Sequence, residues 1–528
     1  MMKPFLFEIG VEEIPASYLA PYIMQLQKLL LDEFKTLNLK HEQLKTAYTP
    51  RRLTVYSSGL QVVQPIVEQE LKGPPVEIAY KDGVPTKAAQ AFADKIKQDV
   101  AKLETKKIDG KDYLYAKIKI GGADTKNLLT SSLISIIRKL KSTKSMRWDD
   151  KPTIFARPIR SLLCLLGDEV VALDLDGLKS SNTTFGHRFL SKGKIKIDTA
   201  DWEEYSQKLR NEKVIVDYDE RVALIKSKLL AKGASSDKLD QGLIKICANL
   251  VEFPEVIRGD FDEKYLRLPE EVLVTTLKMH QKSFTLYDEN NKIIAGFLSV
   301  VNNDLKNPEL IKLGYERVIV ARLADAMFFW NEDCSKKLSE RTEILKNMIF
   351  QKELGTYYDK LIRTLKIAKF INSSNFCKNK LTESDIETVV MLSRSDLVSA
   401  MVFEFPELQG IMGAIYARIT ENIPEKTASA IAEMYMPRSA EDELPNSDLG
   451  SLISISDRID TIVGCCFAGL APTGSSDPYA IRRHIISVLR IIIANNYDFN
   501  LDAVLDFSLN LFKLKSIQII NINTIMKY

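Results

Sequence analysis

Cysteine and histidine are scarce in this chain, whose 528 residues hold six of the first and four of the second. Cys164, Cys247, Cys334, Cys377, Cys465 and Cys466 show no CxxC spacing, which argues against both a zinc ribbon and a disulfide framework. Their scatter suits a reducing compartment, so the expected location is cytoplasmic. No apolar run reaches the roughly 18 residues of a membrane span, and the Met-Met-Lys-Pro start has no signal-peptide core. His41, His187, His280 and His484 stand in unrelated contexts, so no Ser-His-Asp or Cys-His arrangement is visible. A GxxxxGK(S/T) loop and a GxGxxG after a strand are also missing. A net charge of only +3 means that any RNA-binding face must concentrate its positive charge locally.

What is present is periodicity. Pro4 to Ile9 reads as an apolar strand, and Ser17 opens a helix with Ile23, Leu26, Leu30 and Phe34 on one stripe. Alternating segments at 53–56 and 113–120 read as strands, the second stopped by Gly121-Gly122. These predict a mixed α+β region over 1–302 with several subdomains. From Tyr315 helices dominate: Ile319, Leu323, Ala326 and Trp330 share a face, with Arg322 and Asp325 able to pair beside it. Val390, Leu397 and Met401 mark a helix capped by Thr382 and ended by Pro406. Ile455, Ile459, Ile462 and Cys466 mark another, and Asp477-Pro478 reads as N-cap and first position of a third. The fold class is an α+β N-terminal region followed by an all-α, HD-like helical domain over 315–495, in a multidomain chain.

Asp396, Asp457 and Asp460 fall between those helices. The arrangement resembles the HD-type metal-dependent phosphohydrolases, in which His, His-Asp and a distant Asp hold the metal. Here Ser395 precedes the carboxylate where that imidazole belongs, and His484 follows two arginines on a different helix. Two carboxylates without imidazole make a poor transition-metal site. The three aspartates are therefore expected to be structural, with the phosphohydrolase as the alternative. Arg482 and Arg483 in a first helical turn oppose the helix dipole, each at a cost of about 0.3–1 kcal/mol. An internal carboxylate such as Asp457 or Asp460 is the expected compensation, and an RNA phosphate the alternative.

The candidate RNA contacts are basic. Arg138, Lys139, Lys144, Arg147, Arg157 and Arg160 run together with Trp148 and Phe155 interleaved, a mixture that suits phosphates and unpaired bases. A solvated helix end with Trp148 packed inside is the other reading. His187 and Arg188 follow Gly186 with the polarity for phosphate or ribose, unless His187 is a structural residue. Arg51 and Arg52 are candidates as well, or else arginines whose stems pack round a strand with exposed heads. Glu12 and Glu13, between a strand and a helix, read equally as dipole partners or acids.

Ordered motifs then give a family. Phe7-Glu-Ile-Gly-Val-Glu-Glu-Ile-Pro15, Tyr48-Thr-Pro-Arg-Arg-Leu53, Phe155-Ala-Arg-Pro-Ile-Arg160, Thr184-Phe-Gly-His-Arg-Phe189 and Phe403-Glu-Phe-Pro-Glu-Leu-Gln-Gly-Ile-Met-Gly413 together resemble the beta subunit of bacterial heterotetrameric glycyl-tRNA synthetase. The resemblance implies a noncatalytic subunit that holds tRNA(Gly) in an alpha2beta2 assembly. The alpha subunit then forms the adenylate with ATP and Mg, and this chain is expected to bind no cofactor or metal of its own and no membrane. Family members continue past residue 528 into a helical anticodon-binding domain, so 496–528 is expected to be the start of that domain in a truncated subunit. A remnant without charging activity is a further alternative.

Overall fold

The structure, a computed structural model, describes residues 1–513 apart from 82, 97, 109, 375, 378–380 and 475. Two compact units divide the chain, Met1–Ile257 with Leu298–Ile311 and Arg258–Phe297 with Lys312–Tyr528. Residues 258–297, grouped by sequence with the α+β region, therefore cluster with the helical one.

The first unit is organised on an antiparallel sheet in the order Glu169–Val170, Ile159–Leu166, Met2–Val11, Arg52–Gln61, Leu44–Thr49. Strand alternation decides what each face carries. Phe5, Phe7, Ile9 and Val11 point to one side, where helices Ala16–Thr36 and Thr125–Lys139 add Leu26, Leu30, Phe34, Leu133 and Ile137. Phe5 and Phe7 are fully buried, a contribution of about 1.5–3 kcal/mol each. Leu6, Leu163 and Leu165 face the other way, onto Trp202, Tyr205 and Leu209 of helix Trp202–Asn211. Glu8 and Gly10 belong to this second face, where they form part of a cavity floor. A smaller sheet, Val67–Pro75, Lys111–Ile120 and Glu104–Ile108, packs with helix Lys87–Ile96 around Ala89, Phe92 and Leu114. Helices Tyr218–Ala231 and Gln241–Ala248 complete the unit, each started by an aspartate whose carboxylate accepts from a first-turn N–H.

The second unit surrounds helix Asp448–Phe467, in which every residue from Leu449 to Cys466 is buried. Tyr357–Ser373, Glu425–Glu433, Ile481–Asn495 and Leu501–Lys513 pack against it. The helix expected between Thr382 and Pro406 is instead broken into Glu383–Leu392, a 3-10 turn at Ser395–Val398, and Ala400–Glu404. Serines explain the break: Ser393 Oγ donates to Val390 O at 2.7 Å, and Ser399 Oγ caps the last piece by accepting from Val402 N. Thr382 caps the first piece as expected. Asp477 also caps, accepting from Ile481 and Arg482 N–H groups, but its helix starts only at Ile481 because Ala480 takes a left-handed conformation, φ 53°. A hairpin of Ile349–Gln351 with Gly355–Thr356 is the one pair of strands after residue 315 among the described residues.

Helix Leu501–Lys513 belongs to this core, stacking Phe507 on Phe370 at 4.4 Å and Phe512 on Phe467 at 5.7 Å. The rest of the expected anticodon-domain start, 514–528, lies outside the described residues. No helix among the described residues is long and apolar enough to cross a membrane.

Candidate functional site

One cavity of about 440 Å³ opens at the end of the large sheet, lined among others by Glu8, Gly10, Glu12, Arg51, Arg160, His187 and Arg188. The sheet register builds its floor, since Gly10 lies opposite Ser161 on one side and Arg52 on the other. A Cβ at Gly10 would run into Ser161 Oγ, so glycine is required by this close approach. The strand exit is pinned by Val11 N–H donating to Arg51 O at 2.8 Å and Glu12 N–H donating to Pro158 O at 3.0 Å. Those two bonds bring Glu12, Arg51 and Arg160 to one rim.

In the floor, Arg52 is closed in at 4% exposure and Glu8 at 1%, and Glu252 behind them is 1% exposed. Arg52 Nε donates to Glu252 Oε1 at 3.1 Å, and its Nη1 reaches Glu8 Oε2 at 3.4 Å and Thr184 Oγ1 at 3.3 Å. Tyr205 OH donates to Glu8, and Thr49 Oγ1 donates to Glu252 at 2.6 Å. Burial works against the Arg52 charge, but Glu252 and then Glu8 outweigh it and hold its pKa above the ordinary value. Burial and the Glu8 carboxylate keep Tyr205 protonated by raising its phenol well above the usual range. Arg52 thus has no exposed head: its guanidinium is a structural tie between strands and the loop at Phe185, whose carbonyl accepts from Nη2 at 3.0 Å.

The rim is different. Arg188 Nη1 lies 3.1 Å from Glu12 and 3.4 Å from Glu13, Arg160 Nε 3.5 Å from Glu12, and Arg51 Nη2 3.7 Å from Glu12. Three guanidiniums therefore share two carboxylates, leaving one positive charge in excess. Arg160 and Arg188 are 65% and 46% exposed, and ion pairs in such positions contribute roughly 0–1 kcal/mol each, little enough for another anion to displace. Glu12 and Glu13 are engaged with these arginines.

His187 stands behind the rim at 1% exposure. Its Nδ1 accepts from the Phe189 and Leu190 N–H groups, both at 3.3 Å, which assigns the ring proton to Nε2. That Nε2 is buried and has no hydrogen-bond partner. Two positions on, Phe189 is 79% exposed beside the Arg188 guanidinium, 5.7 Å from its ring centre. Gly186 permits the loop, because a Cβ there would collide with Ser191 and Glu212.

The other basic candidates are not part of this cavity. Arg138 pairs with Asp176 at 2.7 Å, Lys139, Lys144 and Arg147 are exposed, and Arg157 turns back to its neighbour's carbonyl, Ala156 O, at 2.8 Å. Trp148 packs half-buried on the sheet core and Phe155 is buried against Tyr22, so those two rings point inward. Phe189 is the exposed ring that sequence reasoning passed over, together with the buried Glu8, Tyr205 and Glu252.

The sequence model of the family described as glycyl-tRNA synthetase beta subunit matches residues 5–528. The chain belongs to this family. It is 38% identical to the glycine–tRNA ligase beta subunit of Myxococcus xanthus over 519 residues, 98% of this chain and 73% of that one. It is 39% identical to the beta subunit of Moorella thermoacetica over 508 residues, covering 95% and 72% of the two chains. The Listeria monocytogenes beta subunit is 38% identical over 502 residues, 94% and 72%. As a glycyl-tRNA synthetase beta-subunit family member, the chain is a subunit of an aminoacyl-tRNA synthetase. Four of its motifs, distant in sequence, meet at the cavity: those carrying Glu8 to Glu13, Arg51 and Arg52, Arg160, and Thr184 to Phe189.

In this beta-subunit family member the helical unit does not offer a metal site at the expected aspartates. Lys360 Nζ is 3.2 Å from Asp457 and 3.1 Å from Asp460, Arg363 Nε is 2.6 Å from Asp460, and Arg394 forks onto both Asp457 oxygens at 2.7 Å. Cations already hold the carboxylates that a metal needs. Although burial opposes ionisation of Asp457, Arg394 and Lys360 overcome it and set its pKa below the carboxylate range. Asp396 instead accepts from Gly410 N at 2.6 Å and Gly413 N at 3.0 Å, and burial, only partly offset by these bonds, raises it to about 6. No group of three or more His, Cys, Asp or Glu among the described residues is placed to share a metal ion.

The same occupancy overturns the expected partner of Arg482 and Arg483. Asp457 and Asp460 are taken by Lys360, Arg363 and Arg394, while Arg482 Nη1 donates to Gly474 O at 2.8 Å and Arg483 is exposed. The carboxylate that offsets them at the helix start is the capping Asp477.

Proposed function

We propose that this chain is the noncatalytic, tRNA-binding subunit of glycine–tRNA ligase, supporting ATP-dependent attachment of glycine to tRNA(Gly) by an alpha subunit in an alpha2beta2 assembly in the cytoplasm. The observation that carries the reading is the rim of Arg51, Arg160 and Arg188 on only two carboxylates, backed by a buried imidazole N–H without a partner. Arg160 and Arg188 engage phosphates by exchanging Glu12 and Glu13 for them. Arg51, less exposed, closes the rim from the side, and Arg52 acts only by fixing the strand that carries it. Exposed Arg138, Lys139, Lys144 and Arg147 add a second, sequence-independent phosphate surface on the same unit.

ATP, Mg and glycine are handled by the alpha subunit, since the cavity has no phosphate loop and the aspartates of the helical unit are committed to lysine and arginine. The purified chain is expected to give no glycine-dependent exchange of pyrophosphate into ATP. Mixed with the alpha subunit, it restores glycylation of tRNA(Gly). Adenylate formation by the chain alone contradicts the proposal, as does glycylation by the alpha subunit that is indifferent to this chain.

A further inference from the structure

The cavity has walls that ask for a particular ligand. Two residues that line it, His187 and Arg51, each carry a buried nitrogen without a hydrogen bond, Nε2 and Nε, and both are donors. Glu13 Oε1, at 3.8 Å from Arg51 Nε, is too far to accept. Leaving a buried donor unpaired costs about 1–3 kcal/mol, so the molecule that completes this site brings acceptors. With three guanidiniums at the rim, an anion fits that requirement and a neutral or cationic ligand does not.

A planar group is indicated as well. Phe189 is 79% exposed and Phe185 41%, on the two sides of the Gly186-His187-Arg188 turn, with His187 and Phe189 ring centres 6.3 Å apart. An exposed phenyl gains nothing in solvent but offers a face on which a base stacks. A volume of about 440 Å³ admits one nucleotide and excludes a duplex. The lining also contains Gly10, Ser161, Thr184, Gly186, Ser191 and Gly193, small residues that keep it open.

We infer that this cavity binds a single unpaired RNA nucleotide, its phosphate between the His187 N–H and the guanidiniums of Arg51, Arg160 and Arg188, and its base on the ring of Phe189. The inference rests on the tRNA-binding reading and assigns it a subsite that reads single-strandedness. Phosphate displaces Glu12 from the arginines and accepts the proton of His187 Nε2 as a hydrogen bond. The ring then stacks outside the rim, where a paired base has no free face to present.

The test uses the full chain and three probes: tRNA(Gly), a 5′-phosphorylated single-stranded RNA tetranucleotide, and a blunt-ended RNA duplex with no unpaired nucleotide. Phe189→Leu removes the stacking face at an exposed position, and His187→Asn keeps an acceptor for the loop N–H groups while deleting the Nε2 donor. Each variant is expected to weaken tetranucleotide binding at least about fivefold, the low end for loss of one stacked base, and to change duplex binding less than about twofold. If Phe189→Leu, whose melting temperature matches the wild type, binds the tetranucleotide unchanged, the inference is wrong. Binding of tRNA without binding of the tetranucleotide also overturns it, while leaving the tRNA-binding reading intact. Failure of all three probes removes both.

Discussion

Lys360 Nζ stands between Asp457 and Asp460, within 3.2 Å of an oxygen of each, and donates as well to the Asp457 carbonyl at 2.9 Å. A lysine in the space between two carboxylates puts a covalently tethered positive charge where a metal ion would have to sit. Its removal leaves one arginine on each aspartate but deletes its hydrogen bonds to Asp460, Thr461 and the Asp457 carbonyl, and hydrogen bonds to charged groups contribute about 1.5–3 kcal/mol. Lys360→Met is therefore expected to lower the free energy of unfolding by about 2 kcal/mol in urea titrations, since Arg363 and Arg394 still hold one carboxylate each. Added Mg, Mn or Zn is expected to leave the melting temperature of the wild type unchanged. A metal-dependent rise in melting temperature that Asp396→Ala or Asp457→Ala abolishes would restore the phosphohydrolase reading.

The buried Arg52 and the rim arginines are expected to separate by phenotype. Arg52→Met leaves Glu8 and Glu252 buried without their cation and should destabilise the first unit by about 3–5 kcal/mol. Arg160→Ala, exposed at the rim, should change stability by no more than about 0.5 kcal/mol. Urea midpoints of the two variants check this. Equal midpoints would mean that the buried pair contributes nothing to the fold.

Two groups of the helical unit respond to acid in opposite senses. Asp396 has its pKa raised to about 6 from 3.8, so the folded state binds its proton more tightly than the unfolded chain, and this stabilisation is lost as pH rises toward 6. His484, half-buried and beside Arg458, is lowered to about 4 from 6.5, so the unfolded chain binds the proton more tightly and stability falls as pH drops through that window. Relative to wild type, Asp396→Asn should gain stability as pH rises from 4 to 6, by about 2 kcal/mol over that window. His484→Asn should gain instead as pH falls from 6.5 to 4. Denaturation at several pH values across this range decides both, and parallel curves for variant and wild type would refute them.

Much of this architecture was legible in local pattern. The apolar segment from Pro4 to Ile9 marked the strand, the stripe of Ile23, Leu26, Leu30 and Phe34 marked its covering helix, and Thr382 marked a helix start. The site was legible only in part, because Arg51, Arg160, His187 and Arg188 announce themselves by type whereas Glu8 reads as one more strand residue. Its partners lie 44 and 197 residues away in Arg52 and Tyr205, brought to it by strand pairing and by the packing of helix Trp202–Asn211 on the sheet. Arg52 and Arg51 are adjacent and look alike, yet Arg52 starts the strand with its guanidinium buried on Glu8 and Glu252, whereas Arg51 lies in the preceding turn and reaches Glu12 and Glu13 at the rim. Trp148 and Phe155 looked like stacking rings, but sequence carries no signal that separates them from core residues amid lysines. The Arg482-Arg483 anomaly was real, and its compensation came from Asp477 nearby rather than from the distant aspartates, whose charge Lys360, Arg363 and Arg394 consume.

Glu12 competes with RNA phosphate for the rim. Glu12→Gln should leave Arg51, Arg160 and Arg188 with one carboxylate among them and tighten tRNA binding by about two- to fivefold, the equivalent of one exposed ion pair. Weaker binding in this variant would show that Glu12 positions the arginines for RNA rather than occupying them.

The most direct measurement of the central claim is the salt dependence of tRNA(Gly) affinity for the wild type and for Arg160→Ala and Arg188→Ala. Each variant is predicted to raise Kd and to reduce the slope of log K against log salt by about 1, because each arginine neutralises one phosphate. An unchanged Kd and slope in the variant with both substitutions would place the RNA elsewhere and contradict the account.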